Sequence, residues 1–442
     1  MSAIALAAPP RPLSRECDRA RWHRRVVGRE DLTGALVLVT PVLLSASLST
    51  GNSTLAFGMY GLFLLAALSY LVPFAASLRR NPANVLFVSL FAVLAMSTSA
   101  AFARVSWSEA MLQAKSLSAT AVWASIYVVT FSSVVTAAGV LRLARWISVT
   151  CALIAASVYL SVLLYAVGIP FGEVLALGEG GIRAFGPLGD QVSFVLVLPA
   201  LTSLVASSPV MFGVYLGALL LTATRGAVLC LVVGLIAYAL AVASGRIRPE
   251  RRRRGWAVLA VLVGAMVWLT PLSSTLMGRV WEPAGDSGYS LRLAAITTGA
   301  GVFRDNAVLG LGFNGFEAAR PALYEDWLDP ASAENGLSRA VNQYMQTATD
   351  GGALALLLLV LFAISLGRNA LRVASWREAT PELIAAQLWL ISMIVGNQGA
   401  LWLLSHTASG FFLFAVAGVT ARAGAMAREQ AAVARSANGR AR

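Results

Sequence analysis

The sequence is short of charge, of cysteine and of histidine, and each shortage excludes a class of protein. Charged residues make up only 12% of the 442 positions, against about a quarter in an ordinary soluble domain. The three cysteines, Cys17, Cys151 and Cys230, fall in the N-terminal tail and in two different apolar runs, so neither a disulfide framework nor a zinc or iron–sulfur spacing exists. There are two histidines, His23 and His406, and one lysine, Lys115, beside 33 arginines, a bias that reads as genomic base composition. No Gly-rich nucleotide loop of the GxxxxGKS kind is present, which disfavours ATP-driven transport. No Asp-x-Asp pair stands ready to hold Mg²⁺ and a nucleotide sugar, so neither metal nor cofactor is expected. No cleavable signal peptide is visible: "AIALAAPP" is too short, and the Arg-rich stretch follows it.

What the chain has is apolar length. Hydrophobic residues make up 58%, and runs of some 20 recur, each able to cross a hydrocarbon core of about 30 Å. The expected fold is an all-α integral membrane protein. Twelve spans are predicted, near 33–50, 54–78, 84–102, 117–138, 147–168, 191–206, 208–223, 226–243, 256–270, 351–367, 383–404 and 407–421. This divides the chain into a basic tail (1–32), spans one to nine (33–270), a large loop (271–350), spans ten to twelve (351–421) and a second basic tail (422–442). With both tails in the cytoplasm, the inner segments hold 25 of the 34 basic residues and 8 of the 21 acidic ones, as the positive-inside rule requires. The net charge of +13 therefore expresses orientation in a membrane and implies no nucleic acid.

The outer side carries a short loop at 168–190 and the long segment 271–350. Within the latter, "SLRLAAITTGAGVF" (290–303) and "SRAVNQYMQTAT" (338–349) are patterned as amphipathic helices, making a small subdomain over the mouth of the bundle. Between them "LGLGFNGF" is a glycine-rich turn where backbone can approach a ligand closely. Arg225, in "LTATRGAVLCLVVG", sits at the outer start of an apolar run, where it either snorkels to the headgroups or faces a cavity awaiting an anion. Arginine suits the second task, because its planar fork offers paired donors to phosphate and stays charged. Arg183 and Arg292, from two other outer segments, are its candidate companions on one diphosphate.

"RAFGPLGDQVSFVLVLP", "TATRGAVLCLVVG", "RLAAITTGAGVFRDNAVLGLGFNGF" and "VNQYMQTATDGGALALLLLV" follow one another in the order seen in the bacterial O-antigen ligase and Wzy-type O-antigen polymerase superfamily. The chain resembles that superfamily over roughly 180–370, through its "TgSRg" motif, its "GxGxxxF" turn and its closing "HNxyLqxlxexGxxg" helix. The resemblance implies a glycosyltransferase C-like fold of about twelve spans with a large periplasmic loop. The implied activity is metal-independent glycosyl transfer at the periplasmic face from an oligosaccharide on a polyprenyl diphosphate, usually undecaprenyl diphosphate. Arg183, Arg225 and Arg292 would bind and neutralise the leaving diphosphate. Implied partners are this glycolipid and membrane lipids, with a chain-length regulator and a flippase as associated proteins.

One departure decides between activities. Where the pattern has His–Asn, this chain has Val341–Asn342, and valine cannot act as the base that ligases are held to need. The expectation is a polymerase of surface or exopolysaccharide repeat units, with a ligase acting on lipid A–core as the alternative. Asp190, Glu317, Glu334 and Asp350 are the carboxylates available for base work or substrate contact. His406 is the outer-face imidazole. At i, i+4 spacing Asn342 and Gln346 share a helix face, where they either contact sugar hydroxyls or cap the helix. Rival readings are a twelve-span transporter or lipid flippase, and an inactive relative that only binds the glycolipid.

Overall fold

The computed structural model describes residues 30–40, 61, 64–169, 171–177, 181–188, 192–222, 224–245, 287–316, 342–374, 376, 379–396 and 408–440. In chain order the elements are α1 (30–40), α2 (Leu71–Leu78), α3 (Pro82–Ala101), α4 (Trp107–Ser133), α5 (Ala137–Ala166), β1 (Glu173–Leu177), β2 (Gly181–Gly186), α6 (Val192–Val205), α7 (Pro209–Leu221), α8 (Arg225–Ala243), α9 (Ser287–Asp305), α10 (Gln343–Ala374), α11 (Pro381–Gly396) and α12 (Ala408–Arg440). Among the described residues, five helices are long and apolar enough to cross a membrane: those at Pro82–Ala101, Ala137–Ala166, Gly226–Ala243, Gln343–Ala374 and Ser409–Ala432. The protein is a mostly helical membrane protein.

Local chemistry sets the helix ends. Asn81 caps α3, its side chain accepting from the Ala83 amide at 3.1 Å, and Pro82 follows as a first helical residue that needs no donor. Ser106 and Glu109 close a reciprocal capping box on α4, and the Thr136 hydroxyl caps α5 through the Gly139 amide. At the far end of α4, Arg422 Nε of α12 donates to the Val134 carbonyl at 2.8 Å, answering a helix-end acceptor that would otherwise be orphaned.

The bundle is held by aromatic packing at the junction of α2, α3, α4, α10 and α12. Phe87 stacks on Tyr127 with centroids 4.3 Å apart, and Phe74, Phe362 and Phe414 meet them at steeper angles. The one polar atom of Tyr127 is answered by Asn84 Oδ1 at 2.7 Å, and Asn84 Nδ2 donates to Ser77 Oγ at 2.6 Å. Outside this core, exposed apolar residues recur at helical spacing, as Leu229, Val232, Ile236 and Leu240 on α8 and Leu354, Leu357, Leu361 and Ile364 on α10. Such stripes are what lipid-facing surfaces present.

Two features differ from the sequence reading. Segment 168–190 is not a plain loop, and the fold is not purely α: β1 and β2 pair antiparallel, with Leu175 opposite Arg183. Short alternating segments flanked by the glycines of "GEGG" favour a hairpin, and Gly172 allows the strand start to close on Gly186, where an added Cβ would lie 2.3 Å from the Gly186 carbonyl carbon. Ala184 and Phe185 of β2 are buried.

The second difference lies in α6 and α7, expected as spans 191–206 and 208–223, which are helices of only 14 and 13 residues. At 1.5 Å per residue each is about 20 Å long, short of the roughly 30 Å hydrocarbon core. All of α6 except Thr202 is buried inside the chain. Hydropathy counts apolar residues without distinguishing a lipid-facing helix from one enclosed by its neighbours. Cys151 and Cys230 are buried and free; Cys17 and predicted span 256–270 lie outside the described residues.

At the foot of α1 the Glu30 side chain is 3% exposed and 3.7 Å from Arg142 Nη1. Burial raises its pKa above the ordinary 4.5, and the attraction of Arg142 offsets only part of this. A carboxyl whose folded pKa is raised contributes stability that is present at low pH and lost as pH rises through the folded value. The melting temperature of the purified protein is therefore expected to fall from about pH 4.5 upward relative to Glu30→Gln. Parallel curves for the two proteins would show that burial of Glu30 carries no cost.

Candidate active site

Helix α10 is broken near its start. Gly352 has φ 70° and ψ −167°, a backbone state open essentially to glycine alone, and it interrupts the ladder of peptide hydrogen bonds. The "LGLGFNGF" turn fills the gap. Leu311 N donates to Thr349 O at 2.8 Å and Gly312 N to Asp350 O at 3.0 Å, while Ala353 N donates back to Ala307 O at 2.7 Å. Gly310 (φ 66°) permits the contact, since a Cβ there would fall 2.5 Å from the Asp350 carbonyl carbon. The close approach that Gly310 allows in the structure is to another stretch of backbone.

Helix α3 clamps this junction. Ser97 Oγ accepts from Gly312 N at 3.0 Å and lies within hydrogen-bond reach of the Leu309 and Asp350 carbonyls. Thr98 Oγ1 accepts from Phe313 N at 3.0 Å, and Arg104 Nη1 donates to Gly310 O at 3.1 Å. These residues escaped the sequence reading, although "STSAA" closing an otherwise apolar run was a usable signal: polar side chains at membrane depth mark sites of function or close packing.

Around the break, buried polar side chains gather in an apolar bundle. Gln346 Nε2 donates to Asp350 Oδ1 at 2.8 Å, and Gln343 Nε2 to Thr347 Oγ1 at 3.2 Å. Asp350, at 1% exposure, is the buried carboxylate of the group. Gln113 of α4 is 3% exposed, and neither atom of its amide has a hydrogen-bond partner among the described residues. Its Oε1 lies 2.1 Å from where a Cβ on Gly312 would stand. A buried unpaired amide costs about 1–3 kcal/mol, so Gln113 is a polar group poised for a partner beside the turn.

The candidate residues of the sequence fall as follows. Asn342 caps α10, its Oδ1 accepting from Tyr344 N at 2.9 Å and Met345 N at 3.1 Å. Gln346 follows in the same first turn, bonded to Asp350 as described. Arg225 is the first residue of α8, Arg183 lies in β2 and Arg292 in α9. Asp190, Glu317, Glu334, Val341 and His406 lie outside the described residues.

Backbone contacts bring most of these positions to one end of the bundle. The start of α8 meets the start of α6, where a Cβ on Gly226 would lie 3.2 Å from Phe194 Cζ. β2 also packs on α6. Trp389 Nε1 of α11 donates to Phe194 O at 2.8 Å, and Tyr344 OH of α10 donates to Ile394 O of α11 at 3.0 Å. α9 packs on α10. So α11 links the start of α6, which meets the start of α8, to the first turn of α10, and α9 packs on α10.

Arg225 at a helix start is electrostatically notable. The positive end of the helix dipole disfavours a cation by about 0.3–1 kcal/mol and favours an anion beside it. The backbone N–H groups of a first turn point out of the helix end, where an anion can take them.

No curated protein matches the chain. Residues 210–360, from the start of α7 into α10, match the family model described as O-antigen ligase. The match covers the segment with Arg225, Arg292, the glycine turn and the broken helix, and it bears out the resemblance read from the ordered motifs.

Because Gly352 adopts a glycine-only state and a Cβ there would lie 2.3 Å from Val308 O, Gly352→Ala is expected to cost about 1–3 kcal/mol. It should also release the turn. Thermal melts and protease cutting within 306–316 check this; unchanged melting with unchanged cutting would show that the turn is not held by the break.

Proposed function

From a chain that carries an O-antigen ligase domain, we propose glycosyl transfer on a polyprenyl-diphosphate-linked oligosaccharide at the end of the bundle where α8, α9 and α10 begin. The domain match supports glycan transfer in O-antigen biosynthesis. The finer reading is polymerisation of surface or exopolysaccharide repeat units at the periplasmic face of the inner membrane. The observation that carries it is Arg225 at the first position of α8, inside the matched domain. There a guanidinium and a helix dipole both call for an anion, and a lipid diphosphate leaving group is one.

In this reading Arg225, Arg183 and Arg292 stabilise negative charge as the glycosidic bond to the diphosphate breaks. The donor is already activated by its diphosphate, so no metal step is invoked. The acceptor hydroxyl attacks the anomeric carbon, and its proton goes to a carboxylate of the outer segments. Asp350 is the one such carboxylate among the described residues at the break, held by Gln346 at 2.8 Å. Asp190 and Glu317 are further candidates for substrate contact. Asn342, its side-chain oxygen committed to the cap, places the start of α10 beside the substrate in this reading.

Transfer to a lipid A–core acceptor is the second reading, favoured by the description of the matched family. Val341, where that pattern has histidine, weighs toward polymerase.

The test is a deletion strain complemented with wild type, Arg225→Ala or Arg292→Ala, its lipid-linked glycans and surface polysaccharide resolved by size. Loss of one preset charge at a developing anion is expected to slow transfer about 10²–10³-fold. Single repeat units should then accumulate on the carrier lipid. Full-length polymer stranded on the carrier would identify a ligase. Normal polymer in every strain, the deletion included, would sink glycosyl transfer and leave a transporter.

A further inference from the structure

The opposite end of the bundle holds a cavity of about 450 Å³ between α3, α10 and α12, walled by Arg80, Arg368, Arg372, Arg428 and Asn369 on its polar side and by Leu86 and Leu361 on its apolar side. It lies at the far end of helix α3 from the glycine turn, about 23 Å away between Pro82 and Ser97 at 1.5 Å per residue. Nothing in the transfer chemistry uses it. None of the residues lining it is acidic; Glu429, next to Arg428 in the chain, is exposed.

Four arginines line one cavity, and the charge of Arg372 acts against that of Arg428, with Glu429 acting the other way. Asn369, 1% exposed, has its Oδ1 taken by Arg428 Nη1 at 2.8 Å, with Arg372 Nη1 at 3.5 Å. Its Nδ2 has no partner among the described residues, and neither does the buried Nη2 of Arg428. What remains unpaired is donors only. A buried donor left unmade costs about 1–3 kcal/mol, and more when charged. The complement is a group rich in acceptors, carrying negative charge and matching the fork of arginine, which describes a phosphate.

We propose that this cavity binds the phosphate of an anionic lipid headgroup. The apolar wall selects a lipid over a soluble anion. Leu361 stands 41% exposed in the outward stripe with Leu357 and Ile364, so acyl chains can run down α10 from a head held by the arginines. The place also fits: charge asymmetry along the chain assigns this end to the cytoplasm, where the leaflet surface attracts basic clusters at about 1 kcal/mol per arginine. Anionic lipid here would pin α3, α10 and α12 together at the end opposite the transfer site.

Full-length protein, purified in detergent and placed in nanodiscs of phosphatidylcholine with or without phosphatidylglycerol, tests this by native mass spectrometry of retained lipid. Melting temperature on titration with phosphatidylglycerol or with inorganic phosphate is read in parallel. The wild type is expected to hold phosphatidylglycerol at least about 10-fold more tightly than phosphatidylcholine, a difference of about 1.4 kcal/mol. Arg368→Gln combined with Arg372→Gln, both exposed at the helix surface, should lose that preference while melting normally in phosphatidylcholine. Arg428→Gln should lose it too. Arg79→Gln, beside the cavity in sequence but outside its lining, should keep it. Equal retention by wild type and the double variant would overturn the site. Stabilisation by inorganic phosphate with no preference among lipids would overturn the lipid assignment and leave a soluble phosphate ligand.

Discussion

A helix broken inside an apolar bundle leaves peptide groups with no water to receive them, and the arrangement around the candidate site answers that constraint. Irregular backbone at membrane depth persists only where protein satisfies it. At Gly352 the satisfaction comes from the 309–316 turn, whose amides take the carbonyls freed by the break and whose own carbonyls are met by Ser97 and Arg104, while Ala353 N donates to Ala307 O just before it. Two glycines in the turn and one in the helix permit the two backbones to touch. The interaction ties the segment after α9 to α3 and α10, and so fixes where the first turn of α10 presents its polar residues.

The two ends of the bundle solve different electrostatic problems. At one end an arginine opens a helix, buried amides and a carboxylate line the break, and the segment matches the family model described as O-antigen ligase. At the other, arginines crowd a cavity with no acid in its wall, and the unpaired atoms are all donors. A charged glycolipid and a charged membrane surface both favour arginine, which keeps its charge and can be surrounded by apolar packing without losing it.

Much of the design was legible in the chain because it rests on local patterning. Apolar runs gave the helices, and the amphipathic period of 290–303 gave α9. The spaced glycines of "LGLGFNGF" announced close approach, though not to what. The β1–β2 hairpin was not legible, because strands of five and six residues carry too little alternation to stand against a reading of the whole as helical. Ser97 and Thr98 belong to a predicted span, and Gln113 to the segment after it, in a region whose resemblance to the family is hydropathy alone, so no motif pointed to them. Asn342 was ambiguous between cap and contact, since both uses demand the same side chain; the geometry shows the cap.

Read alone, the chain dictated a helical membrane protein, its charge asymmetry and the resemblance of its central segment to the O-antigen ligase family, because composition and short ordered motifs are properties of neighbouring residues. Packing between distant segments decided that α6 is enclosed by protein instead of lipid, and that the glycine turn closes on a broken helix. It also decided that arginines from three separate segments share one cavity. Those outcomes depend on distances across hundreds of residues, which no local pattern encodes.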